Sequence, residues 1–226
     1  MSSTDDDFPR VRTSYDALAN DYAAAYGDEL AHNPLHRGIV DCFATLVASS
    51  RLHGPVGDVG CGPGHVAAHL AARDLPVVGI DLSPAMIEVA RRRHPGLDFR
   101  VGTMTRLDTP DASWAGLAAI HSIIHLPRAD RERAYAEMAR VLRPGAWILV
   151  SFHVDSAKAR PGDSIHLDEF LGCRVDLDGY FLAPEEVAAG LNAAGIRLEA
   201  RFDREPWPDL EYPSRRSYLL GRRGAT

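Results

Sequence analysis

The chain has 226 residues, of which 46% are hydrophobic and 25% are charged, and its formal net charge is −6 at pH 7. The length suits one domain with a sizeable core, and the composition is typical of a globular protein. A negative net charge argues against nucleic acid as a partner, because phosphate binding needs a dense basic surface. Three scattered cysteines without a CxxC pair predict neither a disulfide framework nor a zinc site.

The two ends of the chain carry no targeting signal that we recognise. Residues 1–7 are polar and acidic, unlike a signal peptide, and no apolar run approaches the length of a membrane span. We therefore expect a cytoplasmic protein without membrane contact. Residues 1–10 are predicted to be a disordered tail, and residues 11–226 a single domain. The densest basic cluster is assigned to a solvated edge; it comprises Arg215, Arg216, Arg222 and Arg223.

Two helices are predicted before the first strand. Residues 11–26 carry Tyr15, Tyr22 and Tyr26 along one helical stripe, and residues 34–50 form a second amphipathic helix. Packing on the core explains most of this stripe, whereas Tyr15 and Tyr22 are explained equally well by packing or by contact with a ligand.

A glycine-rich turn then follows a short buried strand at residues 56–60. Glycines at 60, 62 and 64 allow positive φ and let a ligand approach bare backbone. The next strand ends at Asp81, where a carboxylate can accept both hydroxyls of a ribose. The dinucleotide fingerprint needs its third glycine where His65 stands, so this turn disfavours NAD.

The rest of the chain alternates strands and helices, as in a doubly wound α/β sheet. Strands are predicted at 77–81, 97–101, 113–121, 146–153, 196–203 and 216–221, and helices at 65–73, 84–93, 130–142 and 184–194. His121, His125 and His153 fall at the carboxyl ends of strands, where sites form in such sheets. Residues 154–183 interrupt the alternation, and we expect them to shape a substrate pocket.

Three segments together resemble class I S-adenosylmethionine (SAM) methyltransferases of the small-molecule type. They are Asp-x-Gly-x-Gly-x-Gly at 58–64 with Asp81, Tyr-Asp-x-Leu-Ala-x-x-Tyr at 15–22, and Arg-Val-Leu-Arg-Pro-Gly at 140–145. The resemblance implies a Rossmann-like seven-stranded doubly wound sheet with an antiparallel last strand. It further implies an N-terminal helical lid at 11–50 and an insertion after strand five at 154–183.

SAM is the cofactor that the resemblance implies, with S-adenosylhomocysteine as its product. The implied cofactor-binding residues are Tyr15, Tyr22, Asp58, Gly60, Cys61, Gly62, Gly64, Asp81, Leu82, Met86, Thr103, Met104 and His121. Thr103 stands where the family commonly has an acid that binds the adenine amino group. The partner of that amino group is therefore left open.

The resemblance also marks a candidate general base. His125 lies in a segment, residues 120–127, where a histidine of the family often faces the methyl acceptor. Histidine suits proton transfer because its ordinary pKa lies near neutrality. The alternative role for His125 is a wall of the cofactor pocket. His153, His166, Phe170 and Tyr180 are predicted to contact the acceptor. No metal is expected, because the ends of strands four and five lack clustered carboxylates.

We predict methyl transfer from SAM to an oxygen, nitrogen or carbon atom of a small metabolite, by a monomer or homodimer. Two alternatives stay open. One is a SAM-binding enzyme that does not methylate, such as a cyclase; the other is a non-catalytic nucleotide-binding module.

Overall fold

The computed structural model describes residues 8–207 and 211–225. The helices are α1 (Pro9–Tyr26), α2 (Glu29–His32), α3 (Pro34–Ser50), α4 (His65–Ala71), α5 (Pro84–Arg93), α6 (Arg128–Val141) and α7 (Pro184–Ala193). The strands are β1 (Val56–Val59), β2 (Val77–Asp81), β3 (Asp98–Val101), β4 (Trp114–Ile120), β5 (Leu142–Ser156), β6 (Ser164–Phe170), β7 (Cys173–Tyr180), β8 (Ile196–Arg204) and β9 (Ser214–Arg223). None of the helices within these ranges is both long and apolar enough to cross a membrane.

The tail predicted at residues 1–10 lies mostly outside the described residues. Its described part differs from the prediction, because Pro9 and Arg10 already belong to α1. Proline suits this first position, where a helix has no use for the missing N–H.

Seven strands form the main sheet in the order β3-β2-β1-β4-β5-β9-β8. All neighbouring pairs are parallel except those made by β9, which is antiparallel to both β5 and β8. The predicted Rossmann-like sheet with an antiparallel last strand is thus confirmed. The strand order reverses between β1 and β4, and ligands of open α/β sheets bind at such a switch point.

The central strands are apolar because helices cover both faces of the sheet. Every residue of β1 is buried, as are the first six of β4. One core layer joins the sheet to α6 and α7, and the other joins it to α3 and α4. A near-continuous apolar run is what a strand buried on both sides requires.

The insertion at 154–183 contains a hairpin that the sequence analysis did not predict. Strands β6 and β7 pair antiparallel in a separate two-stranded sheet. Leu171 and Gly172 join them with φ values of 52° and 78°, the positive φ pair of a two-residue hairpin turn. The alternation of Ile165 and Leu167 with polar residues was the available signal.

Helix α1 bridges this hairpin and the main sheet. Asp16 accepts hydrogen bonds from the Ser83 hydroxyl at 2.6 Å and the Ala85 N–H at 3.1 Å, at the start of α5. On the other side, the Ser14 hydroxyl accepts the Asp176 N–H of β7 at 2.9 Å. The helix is therefore held across the carboxyl ends of the strands.

Replacing Gly57 with alanine should destabilise the fold, because the added Cβ would lie 2.1 Å from Cζ3 of the buried Trp114 ring. Overpacking of this kind lowers the free energy of unfolding by about 1–3 kcal/mol. Gly38, exposed in α3, is the matched control: an added Cβ there meets no heavy atom within 4 Å. Gly38→Ala should stabilise the helix by up to about 1 kcal/mol. Chemical denaturation measures both changes, and a Gly57→Ala variant as stable as the parent chain would contradict the packing argument.

Candidate active site

Two clefts open at the carboxyl edge of the main sheet. The glycine cleft, about 760 Å³, lies beside the Gly60–Gly64 turn, Asp81 and the end of β4. The hairpin cleft, about 970 Å³, lies between α1, the main sheet and the β6–β7 hairpin. Both volumes include space that is open to the solvent.

The glycine turn is shaped by the carboxylate of Asp81. One of its oxygens accepts the Gly62 N–H at 2.8 Å, and the other accepts the Ser83 N–H at 2.9 Å. Gly62 has φ +51°, and the nearest atom to an added Cβ is Cε1 of Tyr22, at 3.8 Å. The cleft wall here is bare backbone beside a carboxylate. Burial raises the pKa of Asp81, and its bonds to the two N–H groups oppose that effect.

Most of the predicted cofactor residues line the glycine cleft. They are Tyr15, Tyr22, Gly60, Gly62, Asp81, Leu82, Met86, Thr103, Met104 and His121. Thr103 shares a hydrogen bond with the Thr105 hydroxyl at 2.9 Å. Phe8 and Val11 also line the cleft and were missed, because Phe8 was assigned to the tail.

Three predicted cofactor residues, Asp58, Cys61 and Gly64, are not part of the wall of the glycine cleft. Asp58 is buried behind the turn and accepts the Ala67 N–H at 2.9 Å, and burial raises its pKa to about 7. Cys61 is buried in a small core cluster with Phe99. An added Cβ on Gly64 would meet the Phe99 ring at 2.6 Å. These residues support the turn from behind.

His125 stands where the two clefts meet, on a single 3-10 turn after β4. Its Nδ1 lies 2.8 Å from the main-chain oxygen of Asp178. A carbonyl oxygen only accepts, so Nδ1 carries the proton, and Nε2 accepts the Tyr15 hydroxyl at 2.7 Å. Burial lowers the pKa of His125, which favours the neutral ring. The neutral ring is therefore the Nδ1–H tautomer, and the lone pair of Nε2 lies where the two clefts meet.

Tyr15, Tyr22 and His121 are the other side chains that border both clefts. His121 ends β4 with φ +50°, a backbone conformation that is uncommon outside glycine and worth a functional explanation. Among the described residues, neither of its buried ring nitrogens has a hydrogen-bond partner. Its ring stacks on His153 with centroids 5.0 Å apart. Burial lowers its pKa well below the ordinary value, so the ring is neutral.

The predicted acceptor contacts divide into two groups. His153, Phe170 and Tyr180 line the hairpin cleft. His166 does not, and its assignment is corrected: it is 45% exposed on the outer face of the hairpin and pairs with Asp178 and Asp168. In a strand, neighbours point to opposite faces, so Leu167 rather than His166 reaches the cleft.

Four polar residues of the hairpin cleft were missed by sequence reasoning. They are Glu29, Glu211, Tyr212 and Arg216. Arg216 was assigned to a solvated edge, yet it is only 4% exposed. In the part of the chain that the structure describes, His, Cys, Asp and Glu side chains form no group of three or more that could hold a metal ion.

Comparison with known proteins agrees with this geometry. Residues 56–145 match the family model described as a methyltransferase domain. A fatty-acid O-methyltransferase from Mycolicibacterium smegmatis is 31% identical over 207 residues, covering 85% of this chain and 72% of that protein. An O-methyltransferase from Pyrenophora dematioidea is 39% identical over 101 residues, covering 42% of this chain and 37% of that protein. The chain spans about two fifths of the length of several curated relatives that it matches.

A solved structure shows the same fold at low sequence identity. It is the 1,6-didemethyltoxoflavin-N1-methyltransferase of Burkholderia thailandensis, crystallised with 1,6-didemethyltoxoflavin and S-adenosylhomocysteine. The TM-score is 0.70 at 20% identity, covering 99% of this chain and 92% of that chain. The chain therefore belongs to the class I SAM-dependent methyltransferases.

The glycine cleft fits the cofactor of this family. The Gly62 backbone is uncovered on its cleft side, as close approach of a ligand requires. A carboxylate offers about four acceptor sites, and Asp81 uses two of them for the N–H groups of Gly62 and Ser83. The others suit the hydroxyls of a ribose.

Asp81→Asn should weaken SAM binding by at least about tenfold, because charge-assisted hydrogen bonds contribute roughly 1.5–3 kcal/mol. Asp108→Asn is the control, since Asp108 is exposed and not part of the cleft wall. Isothermal titration calorimetry with SAM measures both affinities. Equal affinity of the two variants would remove Asp81 from the cofactor contacts.

Proposed function

We propose that the protein transfers the methyl group of SAM to an oxygen, nitrogen or carbon atom of a small molecule bound in the hairpin cleft. The observation that carries this proposal is the junction of the clefts at Tyr15, Tyr22, His121 and His125. When bound, SAM supplies an electrophilic methyl group, which bonds to the acceptor atom as its bond to sulfur breaks. The protein's task is then to align the acceptor, exclude water and remove a proton.

The cofactor is held in the glycine cleft by the chain's own backbone and by one acid. The bare turn at Gly60 and Gly62 receives the methionine part, and Asp81 binds the ribose hydroxyls. Leu82 and Met104 flank the adenine, with the Thr103 hydroxyl as the polar group beside it. All six residues line this cleft, which supports the assignment.

His125 is the general base of the proposed reaction. Its Nε2 is the only ring nitrogen left to accept a proton, because Nδ1–H is bound to the Asp178 carbonyl. The Tyr15 hydroxyl now occupies the position 2.7 Å from Nε2. An acceptor hydroxyl or amine that donates to Nε2 in place of Tyr15 delivers its proton there. A base positioned in this way contributes about 10²–10⁴-fold to the rate.

Aromatic side chains of α1 exclude water from the junction. The rings of Tyr15 and Tyr22 are 5.9 Å apart in an edge contact, and those of Tyr22 and Tyr26 are 4.8 Å apart. Tyr15 and Tyr22 border both clefts, so this row covers the path of the methyl group.

A labelled-methyl transfer screen tests the proposed function. The protein is incubated with methyl-labelled SAM and metabolite extracts, and mass spectrometry identifies labelled products and S-adenosylhomocysteine. Methylated small molecules are the expected result. Retention of SAM with no S-adenosylhomocysteine formed would instead indicate a SAM-binding protein that does not methylate.

His125→Ala should lower kcat by about 10²–10⁴-fold for an acceptor that carries a proton. SAM affinity should stay within a few-fold, because Asp81 and the glycine turn are unchanged. His53→Ala is the matched control, since His53 is exposed in the loop before β1. Steady-state kinetics and calorimetry separate the two effects. A parallel loss of SAM affinity would make His125 a wall of the cofactor pocket.

The pH profile of kcat supplies an independent test of the base. Burial lowers the pKa of His125 from its ordinary value of 6.5, so the neutral ring persists to more acidic pH. The acidic limb of the profile should have its midpoint below pH 6.5, as Nε2 becomes protonated. An acidic limb centred above that value would contradict His125 as the base.

A further inference from the structure

The polar end of the hairpin cleft contains a buried arginine that the proposed chemistry does not use. Arg216 belongs to β9 and pairs in register with His153 of β5. Its side chain lines the hairpin cleft, although the residue is only 4% exposed. It does not line the glycine cleft, whereas His125 borders both clefts.

The hydrogen bonds of Arg216 leave part of its guanidinium unpaired. Nη1 donates to the Ser214 carbonyl at 2.9 Å and pairs with Oε2 of Glu211 at 2.8 Å. Nε is buried and has no partner among the described residues. A buried donor without a partner costs free energy that a ligand can recover. Burial also lowers the pKa of Arg216, which a bound anion would oppose.

The nearby carboxylates are already engaged. Glu211 is shared, because Oε1 pairs with Nη2 of Arg204 at 2.6 Å while Oε2 pairs with Arg216. Glu29 pairs with Nδ1 of His36 at 3.1 Å. Arg216 therefore shares its main counter-ion with a second arginine and retains a buried N–H without a partner among the described residues.

His121 adds a second unpaired group at the same end. Its ring lies at the hairpin cleft, and both of its nitrogens are buried without partners in the described ranges. A neutral imidazole carries one N–H donor, which can also bond to an anion. Two side chains that line the hairpin cleft, one on β9 and one just after β4, thus have buried nitrogens without partners among the described residues.

The opposite wall of the hairpin cleft is apolar. Ile165, Leu167 and Leu177 line it from the hairpin. Phe170 stacks on Tyr26 of α1 with ring planes 15° apart. The cleft thus combines an apolar, partly aromatic body with a charged end, where Arg216, Glu29 and Glu211 line it.

We propose that the acceptor is a small apolar molecule whose carboxylate binds Arg216, while a separate hydroxyl or amine at His125 receives the methyl group. The proposal rests on the proposed methyl transfer. The guanidinium fork suits a carboxylate, which also accepts the N–H of His121. Because Arg216 does not line the glycine cleft, the carboxylate it binds is not the methyl acceptor, and the product is a methyl ether or a methylated amine and not a methyl ester. The proton of the accepting group passes to Nε2 of His125.

Paired probes test the anion site by binding as well as by turnover. Hydroxybenzoic, hydroxyphenylacetic and hydroxycinnamic acids are each compared with their primary amides. Calorimetry measures their binding to the protein saturated with S-adenosylhomocysteine. We expect at least one acid to bind about tenfold or more tightly than its amide. With SAM, mass spectrometry should locate the methyl group on the hydroxyl.

Arg216→Gln should abolish the preference for the acid and leave SAM affinity unchanged. Arg215→Gln is the matched control: the neighbouring arginine points to the other face of β9, pairs with Asp155 and should keep the preference. If Arg216→Gln does not fold, Arg216→Lys keeps the charge but loses the fork, and should reduce the preference. The comparison of acids with amides on the unmodified protein needs no variant.

Each outcome decides between the two proposals. The anion site is wrong if no acid binds more tightly than its amide, if the preference survives in the Arg216 variant, or if the methyl group is found on the carboxylate. An acid preference that depends on Arg216 without methyl transfer supports the anion site and contradicts the proposed function. Methylation of neutral acceptors without any acid preference supports the proposed function and contradicts the anion site.

Discussion

The shape of the glycine cleft depends on one carboxylate. Asp81 binds the N–H of Gly62 with one oxygen and the N–H of Ser83 with the other. Ser83 in turn caps α5 by accepting the Met86 N–H at 3.0 Å, and its hydroxyl donates to Asp16 of α1. A single connected set of hydrogen bonds therefore joins the glycine turn, the start of α5 and the helix that covers the cleft. Asp81 shapes the pocket in addition to offering it a negative charge.

The orientation of His125 depends on a main-chain group of the insertion. The carbonyl of Asp178 in β7 fixes the proton on Nδ1, while Tyr15 of α1 contacts Nε2. The ring therefore joins three parts of the chain that are far apart in sequence. A carbonyl does not titrate, so it favours the same tautomer at every pH at which the ring is neutral. A carboxylate in its place would raise the pKa of the histidine further.

The sheet could be predicted because its signals are local. The direction in which a single side chain points could not be predicted. Alternating strands and helices and the glycine turn are readable within short windows, and strand β2 and helices α3 and α5 have the predicted ends. The turn spacing identified Asp58 and Gly64 as members of the motif, but it does not tell which side of the turn faces the cleft.

Two further differences between the predictions and the structure have one cause: successive side chains of a strand point to opposite faces. Arg215 and Arg216 were assigned together to a solvated edge, as members of one basic cluster. They are neighbours in β9, so their side chains point to opposite faces and Arg216 is buried. In β6, the same alternation turns His166 outward and Leu167 inward. Alternation within a strand thus decides which member of the basic cluster lines the hairpin cleft.

The last segments of the chain contribute to only one of the two clefts, and this bears on how such a protein diversifies. Both clefts are bordered by Tyr15, Tyr22, His121 and His125, whereas Arg216 and the hairpin side chains border the hairpin cleft alone. Mutations in the hairpin or in β9 can change which molecule fits without altering the lining of the glycine cleft. The late segments are therefore the natural place to engineer a different preference.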